Sequence, residues 1–182
     1  KIYNPNASSG GGSAAQGLSV YADGAADLWA IWDCCGGSTP TDETDDAEHG
    51  TVAEFIIGAT PTVMGFTSRP GHGVDGGVPY DATAFLQTGV VQFEMKVVNA
   101  PSNTDSVWKF KIESSDGATA VELDLTASNE AAAPVTGEWQ TYTYQLSDLF
   151  DAGLDISSID VIMVFPAWDT GNGAVYRVDN VF

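Results

Sequence analysis

The sequence predicts an all-β fold, an antiparallel β-sandwich or jelly roll, and three observations carry that expectation. Short apolar runs recur along the 182 residues with Asp, Gly and Pro between them. The clearest runs alternate apolar and polar residues with a period of two, which buries one face of a sheet and leaves the other wet. Neither a strand–helix alternation nor a repeat of about 20–50 residues is present, which argues against parallel α/β folds and solenoids.

Taken in order, residues 1–17, KIYNPNASSGGGSAAQG, read as a linker-like segment. Gly, Ser, Asn and Ala there supply neither a packed element nor the apolar centre of a signal peptide, so the segment looks cut from a larger chain or already processed. A single β-sandwich domain is then expected over residues 18–182, with 43% apolar residues to fill one core. Strands are expected at LSVYA (18–22), LWAIW (28–32), TVAEFIIG (51–58) and TVMGFTS (62–68). In VVQFEMKVV (90–98), Val91, Phe93, Met95 and Val97 face one way and Gln92, Glu94 and Lys96 the other. VWKFKIE (107–113) repeats the rule, with Lys109, Lys111 and Glu113 opposite Trp108, Phe110 and Ile112. AVELDL (120–125), WQTYTYQL (139–146), IDVIMVF (159–165) and AVYRVDNVF (174–182) complete the strands. Only LSDLFDAGL (146–154) reads as a helical turn, with Ser147 as N-cap and Gly153 as stop.

The 25 acidic and 6 basic residues give a formal charge of -19. Nucleic acid is excluded as a main partner, because a polyanion is bound through basic patches that release counterions. An anionic membrane surface is disfavoured on the same ground, and no apolar run reaches membrane-spanning length. Such acidity suits solubility in salty surroundings and supplies oxygen ligands for Ca²⁺. The run DETDDAEHG lacks the order of an EF-hand loop and reads as a solvated loop.

Cys34 and Cys35 are adjacent and are the only cysteines. They can close a small ring or remain reduced, and with no third cysteine to compete a disulfide between them is the expectation. A ring would form either a rigid edge beside Trp32 or a tight turn into GGSTP, and both readings stay open.

Catalytic motifs are lacking: there is no Gly-x-Ser-x-Gly elbow, phosphate loop or His-Glu-x-x-His, and neither thiol has a basic neighbour to activate it. His49 and His72 stand in Gly-rich polar stretches and read as solvated loop residues. Sugar recognition needs flat aromatic faces and fixed planar polar groups, and the chain has both. Trp168, after Pro166, is a candidate stacking residue, as is Trp32; Trp29 reads equally well as an anchor of the cysteine loop, and Trp108 and Trp139 as core.

The order GEWQTYTYQLSDL, LDISSIDVIMVFPAW and AVYRVDNVF, over roughly residues 85–182, resembles the closing segment of galactose-binding-like jelly-roll carbohydrate-binding modules. Such modules are appended to bacterial β-glucan- and polysaccharide-degrading enzymes. The resemblance implies a secreted, non-catalytic module that binds a neutral, β-glucan-like polysaccharide or oligosaccharide and targets an attached catalytic domain to it. It also implies a structural Ca²⁺ held by Asp179, Asp23 and Glu54. The expected cleft lies between the loops after residues 32 and 168, with Trp32 and Trp168 stacking and Arg69, Lys109, Asp169 and Arg177 hydrogen-bonding hydroxyls. Two other classes remain: a jelly-roll polysaccharide-degrading enzyme, and an extracellular structural or assembly protein.

Overall fold

The computed structural model describes residues 2–3 and 17–182. One sheet has six strands: β1 (Ile2–Tyr3), β3 (Ser38–Asp46), β4 (Gly50–Ile57), β6 (Val90–Asn99), β9 (Trp139–Gln145) and β11 (Val175–Asp179). It runs β1-β6-β11-β4-β3, with β9 on the other edge of β6. The second sheet has the order β2-β5-β10-β7-β8, built from β2 (Ala30–Asp33), β5 (Met64–Thr67), β7 (Trp108–Ser114), β8 (Thr119–Asp124) and β10 (Ile159–Pro166). The strand pairings are antiparallel, as the sequence predicts. Of the linker-like segment, residues 4–16 lie outside the described residues, and Ile2 and Tyr3 pair with Val91 and Val90.

Aromatic residues from the two inner faces interlock to form the core. Phe93 of β6 stacks on Phe110 of β7 at 5.9 Å, and Trp108 of β7 meets Tyr176 of β11 edge-on at 4.9 Å. Phe110 also stacks on Tyr144 of β9 at 4.2 Å. Beyond the area they bury, such pairs contribute about 0.5–1.5 kcal/mol each. The alternation in β6 and β7 lands as expected, with Phe93, Met95, Phe110 and Ile112 fully buried. Trp108 and Trp29 are core residues too, at 9% and 7% exposure.

Three expectations are corrected. Residues 18–22 form only isolated bridges through Tyr21 to Ala25 and Val181. The acidic run expected as a loop is largely β3, an outermost strand paired to β4 from Asp46↔Gly50 to Ser38↔Ile57; an edge strand tolerates charge because one of its sides faces water. The helix α1 (Leu146–Asp151) has Gln145, not Ser147, at its N-cap, without a side-chain cap bond. Gly153 does end it, at φ 104, a left-handed conformation that glycine adopts without steric cost.

Candidate functional site

The outer face of the five-stranded sheet is organised in rows by strand register. Trp32 pairs with Gly65, Gly65 with Met163, Met163 with Lys111, and Lys111 with Glu122, a line across all five strands. The next row carries Phe165, Lys109 and Asp124. Met163 and Phe165 are buried, so the floor is apolar. Gly65 has no substitute here: an added Cβ would stand 2.2 Å from the Ile162 carbonyl oxygen.

Trp32 is half-buried and does not stand alone. The ring of His72 lies against it at 4.1 Å with planes 7° from parallel. His72 comes from a 3-10 turn, Pro70–His72, which Gly73 closes at φ 93. Its Nδ1 is 2.8 Å from Thr67 Oγ1, so the expected solvated loop histidine is instead a fixed part of an aromatic platform. Burial first, and then the Arg69 charge, lower its pKa from the ordinary value of 6.5, which keeps the ring neutral at neutral pH.

Arg69 lies at one end of this face with its side chain only 8% exposed. Its Nη2 donates to Asp160 Oδ1 at 2.8 Å and approaches Glu113 Oε2 at 2.9 Å. Burial opposes its charge, but Asp160 and Glu113 outweigh burial and raise its pKa. Asp160 Oδ2 accepts from the Asp116 amide at 2.8 Å, which locks the neighbouring turn. Around this group is a cleft of about 440 Å³ lined by Arg69, Pro70, Pro79, Asp116 and Asp160 among others. Lys109 pairs with Asp124, and Lys111 with Glu113 at 3.2 Å.

Trp32, Arg69 and Lys109 therefore share one face. Trp168, 55% exposed, sits just past the end of β10 opposite from Asp160. Its turn is fixed by Thr170, whose N and Oγ1 both donate to the Ala167 carbonyl, at 3.0 and 2.6 Å; Asp169 holds φ 61 within it. Arg177 does not join this set. It lies on β11 of the other sheet and donates to Glu54 Oε2 at 2.8 Å and Asp46 Oδ2 at 2.7 Å. Alternation does turn Arg177 out of the core, as expected, but onto the opposite side of the sandwich.

Cys34 and Cys35 form a disulfide with each other. The bridge sits where the chain leaves β2 in one sheet and enters β3 in the other, with Cys34 N bonded to the Val63 carbonyl at 3.0 Å. Gly37 has no room for a side chain, since a Cβ would meet the Thr60 carbonyl oxygen at 2.3 Å. Asp33 holds the crossover together. One carboxylate oxygen accepts from Cys35 N at 3.0 Å and from Thr62 Oγ1; the other accepts from Ser38 N and Oγ, both at 2.7 Å. Burial raises its pKa, yet these donors lower it further, so Asp33 is ionised. The ring thus serves a turn whose fixed point is a carboxylate that sequence reasoning passed over.

The outer face of the six-stranded sheet differs. Trp139, expected in the core, is half-buried there; its ring stacks on His49 at 3.9 Å and its Nε1 donates to Asp46 Oδ1 at 3.2 Å. His49, also expected in solvent, has Nδ1 at 3.0 Å from Asp179 Oδ2 and 3.5 Å from Glu94 Oε2. The three residues expected to hold Ca²⁺ have different neighbours. Glu54 is bound to Arg177, and Asp23 is exposed in the turn after Tyr21. Asp179 instead faces an imidazole nitrogen, a poor ligand for a cation that prefers oxygen. The Tyr21 hydroxyl donates to Glu43 Oε1 at 3.3 Å; burial, and then the charges of Glu43, Asp179 and Asp23, push the Tyr21 pKa up.

Signals for the missed residues existed. Tyr142 and Tyr144 as the buried positions of β9 place Trp139 on the opposite side by alternation. Asp160 is a lone acid in the apolar run IDVIMVF, where an unpaired charge would be costly.

No protein-family model matches the chain, and no curated protein matches it in sequence. Solved structures do match in fold. The chain is similar to the family 30 carbohydrate-binding module of the cellulosomal cellulase Cel9D-Cel44B of Clostridium thermocellum, with 16% identity, a TM-score of 0.58, and 90% of this chain and 94% of that chain covered. It is also similar to the family 11 carbohydrate-binding module of the cellulosomal cellulase Lic26A-Cel5E of Clostridium thermocellum, at 15% identity and a TM-score of 0.51, covering 93% and 94%. A third likeness is to a β-1,2-glucanase from Parabacteroides distasonis, with 14% identity, a TM-score of 0.50, and 90% of this chain against 24% of that one. The fold is the jelly-roll β-sandwich of these carbohydrate-binding modules. Among the described residues no helix is long and apolar enough to cross a membrane.

Proposed function

We propose that the protein is a non-catalytic module that binds a neutral polysaccharide along the outer face of the five-stranded sheet. The observation that carries this reading is the Trp32–His72 platform on the same face as Lys109, Lys111 and Arg69. A pyranose ring presents a flat C–H surface to an aromatic face and hydroxyls at its edge to planar polar groups. Here the aromatic is braced by a second ring, and each of these three cations is held by a carboxylate. A site so fixed loses little side-chain freedom on binding, which favours affinity. The pairing also favours neutral ligands, since a uronate or sulfate would have to compete with Asp160, Glu113 and Asp124 for those cations.

β-Glucan is the first ligand to test. The modules of similar fold belong to cellulosomal cellulases, and a quarter of a β-1,2-glucanase chain matches this fold. The same likenesses support a secreted module that brings an attached catalytic domain to its substrate. Trp168, exposed beyond β10, would extend the face at one end, and the cleft beside Arg69 would close it at the other. The test is calorimetry with cellulosic, mixed-linkage and laminarin-type glucans on the parent protein and on Trp32→Ala. Binding that disappears with Trp32 supports the reading. A parent that binds none of the three, or a variant that binds as well as the parent, overturns it.

A further inference from the structure

The outer face of the other sheet holds a group of side chains that a sugar ligand on the first face leaves unused. His49 in the β3–β4 turn, Glu94 on β6 and Asp179 at the end of β11 bring three ligand-capable atoms within 4.8 Å of one another. Glu94 and Asp179 are cross-strand partners, so backbone register sets their spacing. The Asp179 side chain is only 4% exposed. Its Oδ2 meets His49, but its Oδ1 is buried with no hydrogen-bond partner. An unpartnered buried carboxylate oxygen is costly, and such groups in folded proteins call for a partner such as an ordered water or an ion.

We propose that His49, Glu94 and Asp179 bind a borderline divalent cation of the zinc type. Such ions take imidazole nitrogen and carboxylate oxygen at about 2.0–2.2 Å, so two donors on one ion stand roughly 3.0–3.5 Å apart, from octahedral to tetrahedral angles. The separations of 3.0 and 3.5 Å from His49 Nδ1 to the two carboxylates fall within that range. The nitrogen selects the class of ion: Ca²⁺ takes oxygen ligands, whereas imidazole suits zinc, cobalt, nickel and copper. Two carboxylates with a neutral imidazole carry the charge that a divalent ion neutralises.

Neighbouring groups orient the ligands as they do around metal centres. Asn180 Nδ2 donates to Glu94 Oε2 at 2.6 Å, and Thr141 Oγ1 donates to Glu94 Oε1 at 3.5 Å. Trp139 holds the His49 ring flat at 3.9 Å. The competing reading is a histidine that ion-pairs with two carboxylates and takes no metal.

Protein stripped with EDTA is titrated with Zn²⁺ by calorimetry and with Co²⁺ by tryptophan fluorescence. The expected result is a single equivalent bound, with part of the emission quenched by Co²⁺ because Trp139 touches a ligand ring. Trp139→Phe removes that part of the quench and keeps the heat of binding. His49→Gln and Glu94→Gln each weaken Zn²⁺ by at least about 10–100-fold, the range seen when only a group that orients a ligand is lost. Glu54→Gln, whose carboxylate serves Arg177, leaves Zn²⁺ affinity unchanged. The proposal is overturned if neither ion binds, if His49→Gln binds Zn²⁺ with parental affinity, or if equimolar Ca²⁺ displaces Co²⁺. Because a variant can fail to fold, the melting temperature of the parent is also compared in Zn²⁺ and in EDTA, and an unchanged melt overturns the proposal independently.

Discussion

Asp33 binds both ends of the crossover between the sheets: its carboxylate accepts from the Cys35 amide at 3.0 Å and from the Ser38 amide at 2.7 Å. The disulfide between Cys34 and Cys35 closes a loop of adjacent residues, so it removes little freedom from the unfolded chain, and the entropic gain of a cross-link grows with the loop it closes. Stability should therefore depend on Asp33 more than on the bridge. Reduction should change unfolding free energy by less than about 1 kcal/mol, whereas Asp33→Ala, which strands buried donors, should cost about 2–4 kcal/mol. Urea unfolding with and without reductant measures both, and a larger loss on reduction than on removing Asp33 would refute this account.

A second expectation concerns pH. The folded His72 pKa lies below the ordinary 6.5, through burial first and then the Arg69 charge. The unfolded chain thus binds more protons than the folded one in this window, and stability rises with pH there. The contribution is present above the ordinary histidine value and is lost as pH falls through it toward the lower folded value. His72→Gln should flatten that part of the stability profile between about pH 5 and 7. A slope of unchanged size in the variant would assign it to other groups.

Asp46 acts in the same direction, in a lower pH window. Burial would raise its pKa, but the Glu48 amide, Arg177 and Trp139 donate to it and Lys96 adds its charge, bringing it down to about 2. Its contribution holds above the ordinary carboxylate value of 3.8 and is lost as the pH falls toward about 2. Asp46→Asn should weaken the protein near neutrality by about 1–3 kcal/mol, the cost of losing a charge-assisted bond, and should leave glucan affinity unchanged. Equal acid unfolding midpoints for parent and variant would count against it.

These residues also show what the sequence made legible. The period of two in residues 90–98 and 107–113 was strong enough to place Val91, Phe93, Met95 and Val97 of β6 and Trp108, Phe110 and Ile112 of β7 in the core, because burial on one face alone sets that pattern, while it missed the buried Val90 and Ser114. β3 was hidden because its acids and threonines satisfy a solvated edge as well as they satisfy a loop. Alternation turns Lys109 and Arg177 out of the core but does not tell which sheet each belongs to, and the partners that fix each face are distant in sequence. His72 reaches Trp32, Asp160 reaches Arg69 across 91 positions, and His49 reaches Asp179 across 130, and local patterns contain no record of such meetings. Arg177 and Glu54 were assigned to different tasks, a sugar and a metal, although strand register makes them direct partners.

The last prediction separates the two faces of the sandwich. If glucan lies on the five-stranded sheet, Trp32→Ala should lose about 1–3 kcal/mol of binding, the worth of a partly buried aromatic face, with little change in folding. Lys109→Ala should lose less, because its charge is already paired with Asp124 near solvent. Trp139→Ala and Arg177→Ala should behave in the reverse way. Each removes a partner of Asp46 on the far face, so each should lower the melting temperature while the surviving folded protein binds glucan with parental affinity. Trp168→Ala tests how far the ligand extends: a loss seen with long oligosaccharides but not short ones would place Trp168 at an outer subsite beyond β10. Calorimetry below each variant's melting point reads all five against the parent. Should Arg177→Ala or Trp139→Ala abolish binding while Trp32→Ala does not, the ligand would belong to the six-stranded sheet and the assignment of the face would be wrong.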